Sequence, residues 1–172
     1  AFFFAKKLRE ELKVPVGVIK SAWGGKPVET FTSREALSTI REGKAMVDEA
    51  VVRDASFNQE QAEKAYDENL AKWTELVKAA RGKPAAERGR LPKRPMPPKR
   101  ALLTEGVAGV LYDAMINPFV GYTIQGAIWY QGEGNAKVGA IPYDKTLPLM
   151  INDWRKRWGI DFSFYFVQLA NF

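Results

Sequence analysis

The chain has 172 residues, 46% of them hydrophobic, with five tryptophans and a formal net charge of +6. That is enough apolar material for one domain with a core, and it excludes a disordered tail. Cysteine and histidine are both absent, which excludes disulfides, thiolate metal sites and histidine ligands. It also takes the commonest general base out of any mechanism these residues run by themselves.

The opening AFFFAKKLREELKV has a short apolar run followed by alternating charge at helical spacing, and it predicts an amphipathic helix rather than a targeting segment. Nothing in the chain approaches the roughly 20 apolar residues of a membrane span, so no membrane partner is expected. VPVGVIKSAW, Val14 to Trp23, is a β-branched run entered through a proline. It predicts a buried strand ending in Gly24-Gly25.

From about Arg34 to Ala80 the pattern turns helical, and Ala62, Tyr66, Leu70, Trp73 and Val77 recur at spacings of three and four, a stripe read as packing. The helical stretch gives way to RGKPAAERGRLPKRPMPPKR, where Pro84, Pro92, Pro95, Pro97 and Pro98 favour extended, polyproline-like chain. Residues 45–100 therefore read as an insertion, a helical excursion with a stiff return. Between Lys78 and Arg100 nine Lys or Arg face one Glu, so this segment accounts for the positive balance. It reads as a solvated loop, and a nucleic-acid partner is not expected.

Downstream, LYDAMINPF (Leu111 to Phe119) predicts a short helix that stops before Pro118, and TIQGAIWYQ (Thr123 to Gln131) a strand. YDKTLPLMINDWRKRWG predicts a helix from Tyr143, with Leu149, Ile151, Trp154 and Trp158 on its apolar side and Gly159 as its stop. FSFYFVQLA, Phe162 to Ala170, predicts a third strand. Strands separated by helices argue for a parallel α/β sheet with helices on its faces. In such a sheet the strand ends Ser21 to Gly25, Gln131 to Asn135 and Gln168 to Asn171 lie along one edge, where functional groups gather.

A glycine pair after a strand lets the backbone approach a ligand and point N–H groups at a developing oxyanion, although a tight turn uses the same residues. In the QGEGN stretch, Gln131 and Asn135 bring side-chain donors, Glu133 a carboxylate, and Gly132 and Gly134 backbone freedom. Such a stretch serves either as a site or as a polar loop that caps the next helix. Of the serines, Ser21, Ser33, Ser38, Ser56 and Ser163, none sits in a Gly-x-Ser-x-Gly elbow. Ser33 suits a helix N-cap, with Glu35 in the first turn. No phosphate-binding glycine pattern is present, so no nucleotide cofactor is expected, and neither is a metal.

VPVGVIKSAWGGKPVETFTS, then LYDAMINPFVGYTIQGAIWYQGEGNA, then LPLMINDWRKRWGIDFSFYFVQLANF together resemble three consecutive segments of the sialate O-acetylesterase family, within the SGNH (GDSL-like) hydrolases. The match is almost unbroken from Leu111 to Phe172 and leaves out the insertion. It implies a three-layer α/β/α serine esterase, flavodoxin-like in strand order, that removes acetyl groups from sialic acid or other sugars. Such an enzyme is secreted or periplasmic.

The resemblance further implies four blocks: a nucleophilic serine in Gly-Gln-Ser-Asn, a glycine after the second strand, a Gln-Gly-Glu-x-Asn/Asp loop after the third, and Asp-x-x-His. Gly25, in WGGKP, matches the oxyanion glycine, and Gln131 to Asn135 match the third block. Gln131 and Asn135 are then the oxyanion and positioning groups and Glu133 the loop organiser, with Gly24, Lys26, Gly132 and Gly134 on the substrate side.

The serine and histidine blocks are not among these residues, which implies an internal fragment that is inactive by itself and a sheet lacking its first strand. The strands near 15–21 and 124–131 would then pair directly or face a gap. Lys26 stands where relatives often have Thr or Ser, and Gly134 where they have a small hydroxyl or acidic residue. Lys26 thereby puts a cation beside the expected acetyl site. The rival to an esterase is a catalytically dead module of the same fold that binds acetylated glycans. The resemblance implies an acetylated sugar as partner, and nothing in the sequence speaks to oligomeric state.

Overall fold

The computed structural model describes residues 1–84, 89–136 and 141–170. It divides into two units, Ala1–Ala50 with Glu105–Phe172, and Val51–Thr104. Elements in chain order are α1 (Phe2–Leu12), α2 (Arg34–Leu37), α3 (Arg41–Ala55), α4 (Gln59–Arg81), β1 (Gly126–Trp129), α5 (Tyr143–Trp158) and β2 (Ser163–Phe166), with short 3-10 and π turns between them.

The first unit is organised around β1, α5 and β2. The two strands are parallel, with Gly126 opposite Ser163 and Trp129 opposite Phe166, and α5 is the crossover that a parallel pair requires. Among the described residues this is the whole sheet. Trp129 and Phe164 pack beneath α5, where Met150 and Trp154 meet Phe31, Leu111 and Tyr112 in one core. The other side of the strands, with Ile128, Tyr130, Tyr165 and Val167, is exposed.

Three expectations need correction. Val14 to Trp23 forms no strand and pairs with none among the described residues, and Val14, Val18, Ile19 and Trp23 are all exposed. A β-branched run has the propensity for a strand, but a strand exists only where a second backbone lies alongside to complete its ladder. The helix at Leu111 does not stop before Pro118. It tightens from a π turn over Tyr112–Ile116 into a 3-10 turn over Asn117–Phe119, and Pro118 sits at the start of that turn, where its missing N–H costs nothing.

The third correction concerns the buried face of α5, which is Thr146, Leu147, Met150, Asp153 and Trp154. Ile151 and Trp158 only flank that core, and Leu149 joins a smaller cluster with Leu37, Val47 and Ala108. The helix does end at Gly159, whose φ of 67° closes it in the left-handed conformation. Both strands are shorter than predicted. The Asn171 end of the last one lies outside the described residues.

α1 forms as expected, with Lys7 paired to Glu11 at 2.6 Å, but buries no residue, and Phe3 is 81% exposed.

The second unit is built on α4, whose half-buried positions are Ala62, Tyr66, Leu70 and Trp73, with Val77 fully buried. The proline-rich return is held back against its own unit. Trp73 Nε1 donates to Pro92 O at 2.9 Å, Arg94 lies over the Trp73 ring at 5.8 Å, and Arg100 and the Leu102 N–H both bind the Asp54 carboxylate.

Candidate functional site

Gly24 and Gly25 form a turn. Gly25 has φ 70°, where any Cβ is strained, yet nothing lies within 4 Å of the place a Cβ would occupy. The backbone is thus bent into a glycine-only shape with open space in front of it. Among the described residues the Gly25 N–H has no hydrogen-bond partner. A 3-10 turn over Val28–Phe31 follows and is entirely buried.

Against this turn sits the loop after β1. A Cβ on Gly134 would come within 2.8 Å of Pro27 N and 2.9 Å of Lys26 C, so only glycine allows the two backbones to touch. Gln131 Nε2 donates to Lys26 O at 2.8 Å and to Asn135 Oδ1 at 3.0 Å. Asn135 Oδ1 also accepts from Val28 N at 2.8 Å. Its Nδ2 donates to both carboxylate oxygens of Glu29, at 3.0 and 2.8 Å. Glu133 is exposed, and its Oε2 accepts from Gly132 N at 3.2 Å. Gly132 accepts in turn from the Asn135 and Ala136 amides.

The structure therefore brings Gly25, Lys26, Gln131, Gly132, Gly134 and Asn135 together across a separation of about a hundred residues along the chain. The amide hydrogens of Gln131 and Asn135 point into the protein, where they join the loop to the turn. Lys26 contributes its carbonyl. The polarity at the end of β1 is in this sense an internal fastening, while Gly25 lies in an exposed turn whose N–H makes no bond among the described residues.

Two groups in this arrangement were not singled out from the sequence. Glu29 is 3% exposed and is the carboxylate on which Asn135 converges. Tyr143, at the start of α5, accepts from Trp129 Nε1 at 2.9 Å and has its hydroxyl 2.9 Å from Gln131 Oε1 and 3.0 Å from Gln131 O. A signal for Glu29 exists, since it lies between apolar Val28 and Phe31 in a stretch too polar for a strand and too apolar for a loop.

Asp153 carries the same kind of signal, being an acid within the apolar stripe of α5. It accepts from Ser33 N and Ser33 Oγ at 2.9 Å each, and from Arg157 Nε at 3.0 Å. Ser33 caps α2 by accepting from Ala36 N, so the N-cap read from the sequence is also an anchor that fastens α2 to α5.

Burial pushes the Tyr143 phenol above its ordinary value near 10; the bond from Trp129 opposes this, and the charges of Glu133 and Glu29 add to it. A raised folded value means stability that is complete below about pH 10 and lost as pH rises through that value. Tyr143→Phe is expected to cost about 1–3 kcal/mol at pH 7 by leaving Trp129 Nε1–H unpaired. It should also flatten the alkaline fall in stability, part of which Tyr112, likewise raised by burial, retains. Urea unfolding at about pH 7 and pH 11 measures both, and equal alkaline slopes for variant and parent would contradict the geometry.

Among the described residues no cluster of three metal-ligating side chains exists, and no helix is long and apolar enough to cross a membrane.

No family model matches the chain. Sialate O-acetylesterase of Rattus norvegicus is 27% identical over 179 aligned residues, covering 99% of this chain and 29% of that protein. The Homo sapiens protein of the same name is 24% identical over 155 residues, covering 90% and 20%. The crystal structure of a carbohydrate acetylesterase from Xanthomonas citri is 26% identical with a TM-score of 0.56, and the likeness covers 99% of this chain and 25% of that one. The chain thus spans less than a third of the length of these relatives.

Its parallel βαβ unit, with a fastened loop and a glycine turn at the carboxyl edge, defines an α/β protein whose fold is similar to part of that carbohydrate acetylesterase. Within that class, the family these likenesses give is the one read from the sequence, that of the sialate O-acetylesterases.

Proposed function

We propose that the chain carries the oxyanion side of a carbohydrate O-acetylesterase of the sialate O-acetylesterase type. The substrate is an acetyl ester on sialic acid or another sugar, and the reaction is serine acyl transfer. The observation that carries this reading is the exposed Gly25 turn, whose N–H has no partner among the described residues, seated on the Gln131 to Asn135 loop at the carboxyl edge of a parallel sheet.

In the proposed reaction a serine attacks the acetyl carbonyl, a histidine takes and returns the proton, and the Gly25 N–H with an amide of the Gln131 loop receives the oxyanion. The Gly25 N–H gives up no bond among the described residues to do this. Gln131 can donate to an oxyanion only by giving up Lys26 O or Asn135 Oδ1, because both of its amide hydrogens are engaged. The serine and histidine come from residues other than these 172, which contain no histidine. Lys26 and Gly24 face the sugar side, and the site of action is secreted or periplasmic.

Hydrolysis of p-nitrophenyl acetate tests the reading. The 172-residue chain is expected to release no more nitrophenol than its own Gly25→Ala and Gln131→Ala variants. A longer polypeptide that includes the serine and histidine blocks is expected to be active, and Gly25→Ala in it, which keeps the N–H but strains the turn at φ 70° and displaces it, to lower kcat by up to about 10²–10³, the effect of a lost oxyanion donor. Robust turnover by the chain alone, abolished in neither variant, would place the chemistry elsewhere. The missing histidine also supports a second reading, a catalytically dead module that binds acetylated glycans. Retention on an acetylated but not a deacetylated glycan, with no acetate released by the longer polypeptide either, would select it.

A further inference from the structure

The hydrogen bonds behind the Gly25 turn have a direction, and the chemistry of the end groups sets it. An indole N–H only donates and an ionised carboxylate only accepts. Trp129 Nε1–H gives to the Tyr143 hydroxyl, so that hydroxyl's single hydrogen turns to the oxygens of Gln131. Gln131 Oε1 is thereby an acceptor, and its Nε2 faces Lys26 O and Asn135 Oδ1. Asn135 Oδ1 takes the Val28 N–H as well, and its Nδ2 meets the Glu29 carboxylate.

Turning either amide over would set oxygen against oxygen at Lys26 or at Glu29, and nitrogen donor against Val28 N–H. The amide orientations therefore follow from donor and acceptor inventory and not from the placement of indistinguishable atoms.

We infer that Glu29 is a positioning residue of the candidate site, the charged terminus of a one-way relay from Trp129 through Tyr143, Gln131 and Asn135 that holds the Gly25 turn in shape. The inference rests on the acetylesterase reading for its functional meaning. A buried carboxylate is costly unless its oxygens are occupied, and here both are occupied by a single amide. That amide is polarised by the charge, and it passes the polarisation to its neighbour through a bond in series. Gln131 is then held to Lys26 O, in the peptide that closes the Gly24-Gly25 turn on its far side, so the relay fastens the turn where it leads into the buried Val28–Phe31 segment. Glu29 acts on the turn only through Asn135 and Gln131.

The relay predicts a response at its far end. In the ¹⁵N-labelled chain, Glu29→Gln is expected to shift the Trp129 indole N–H resonance. It should also speed hydrogen exchange of the Gln131 and Asn135 side-chain amides by about tenfold, as a charge-assisted bond becomes a neutral one. The indole resonances of Trp73 and Trp158, whose partners are Pro92 O and Tyr122 O, should not move. A general loosening of the fold would move all of them together.

Tyr143→Phe tests the same chain from the other end and stands alone should Glu29→Gln not fold. The Trp129 resonance should shift while the Asn135 amide stays protected, because Glu29 still holds it. A Trp129 signal indifferent to Glu29→Gln, or an Asn135 amide that loses protection in Tyr143→Phe, overturns the relay. These spectra need no ester hydrolysis, so the relay and the acetylesterase reading can fail separately.

Discussion

Asn135→Asp is expected to destabilise the chain by about 3–5 kcal/mol at pH 7, the range for stranding a charge in a buried pair. The two side chains have the same size, so no cavity enters the comparison. What changes is that a donor amide 2.8 and 3.0 Å from the Glu29 oxygens becomes a second carboxylate, in a place where Asn135 is 9% exposed. Two carboxylates that close cannot both ionise, so the pair holds a proton and its folded value is raised.

A raised value contributes stability at low pH that is lost as pH rises, so the deficit of the variant relative to the parent should shrink from pH 7 to about pH 4.5. Guanidinium unfolding followed by tryptophan fluorescence at the two pH values measures it. A deficit that is small at pH 7, or the same at both, would show that Asn135 does not sit on the Glu29 carboxylate.

Trp129→Ala is the other large effect, about 3–5 kcal/mol. Its ring is the hub of the first unit's core, edge-on to Phe31 at 5.4 Å and to Trp154 at 5.9 Å, and tilted against Phe164 at 6.2 Å. Truncation leaves a cavity where strand, helix and the Val28–Phe31 turn meet, and removes the donor that the Tyr143 hydroxyl accepts from, leaving that hydroxyl only its own bond to Gln131. Trp23→Ala is the reference. That ring is exposed, and its loss should stay within about 0.5 kcal/mol, the usual range for surface substitutions. Comparable unfolding midpoints for the two variants would mean that Trp129 is not at the centre of the core.

The two sides of the Trp129 residue explain why these effects fall so close together in sequence. Its ring closes the core beneath α5, while the residues directly after it turn to the carboxyl edge and fasten the Gly25 turn. Core and candidate site share one strand end, so damage to either is felt by the other.

Several elements were legible locally. α5 and its Gly159 stop, the α4 stripe and the Ser33 cap all depend on residues within a few positions of one another, and each is where the spacing put it. Backbone hydrogen bonds within a helix join neighbours in sequence, so a short window contains the whole interaction.

Strands differ in kind. Val14 to Trp23 and Gly126 to Trp129 carry equally good apolar runs, yet only the second lies beside another backbone. Its partner, β2, is separated from it by the whole of α5.

The candidate site divides along the same line. Composition determined that no histidine or cysteine chemistry is available within these residues. Residue type and order determined the glycine turn, the amide-rich loop and their resemblance to a family. Only the tertiary structure decided that the amides of Gln131 and Asn135 face inward, that Glu29 is their terminus 106 residues away in sequence, and that among the described residues the Gly25 N–H keeps no partner. A side chain's type states what it can donate or accept. Which way it points depends on the groups that folding brings within 3 Å of it, and those are chosen by packing across the whole unit.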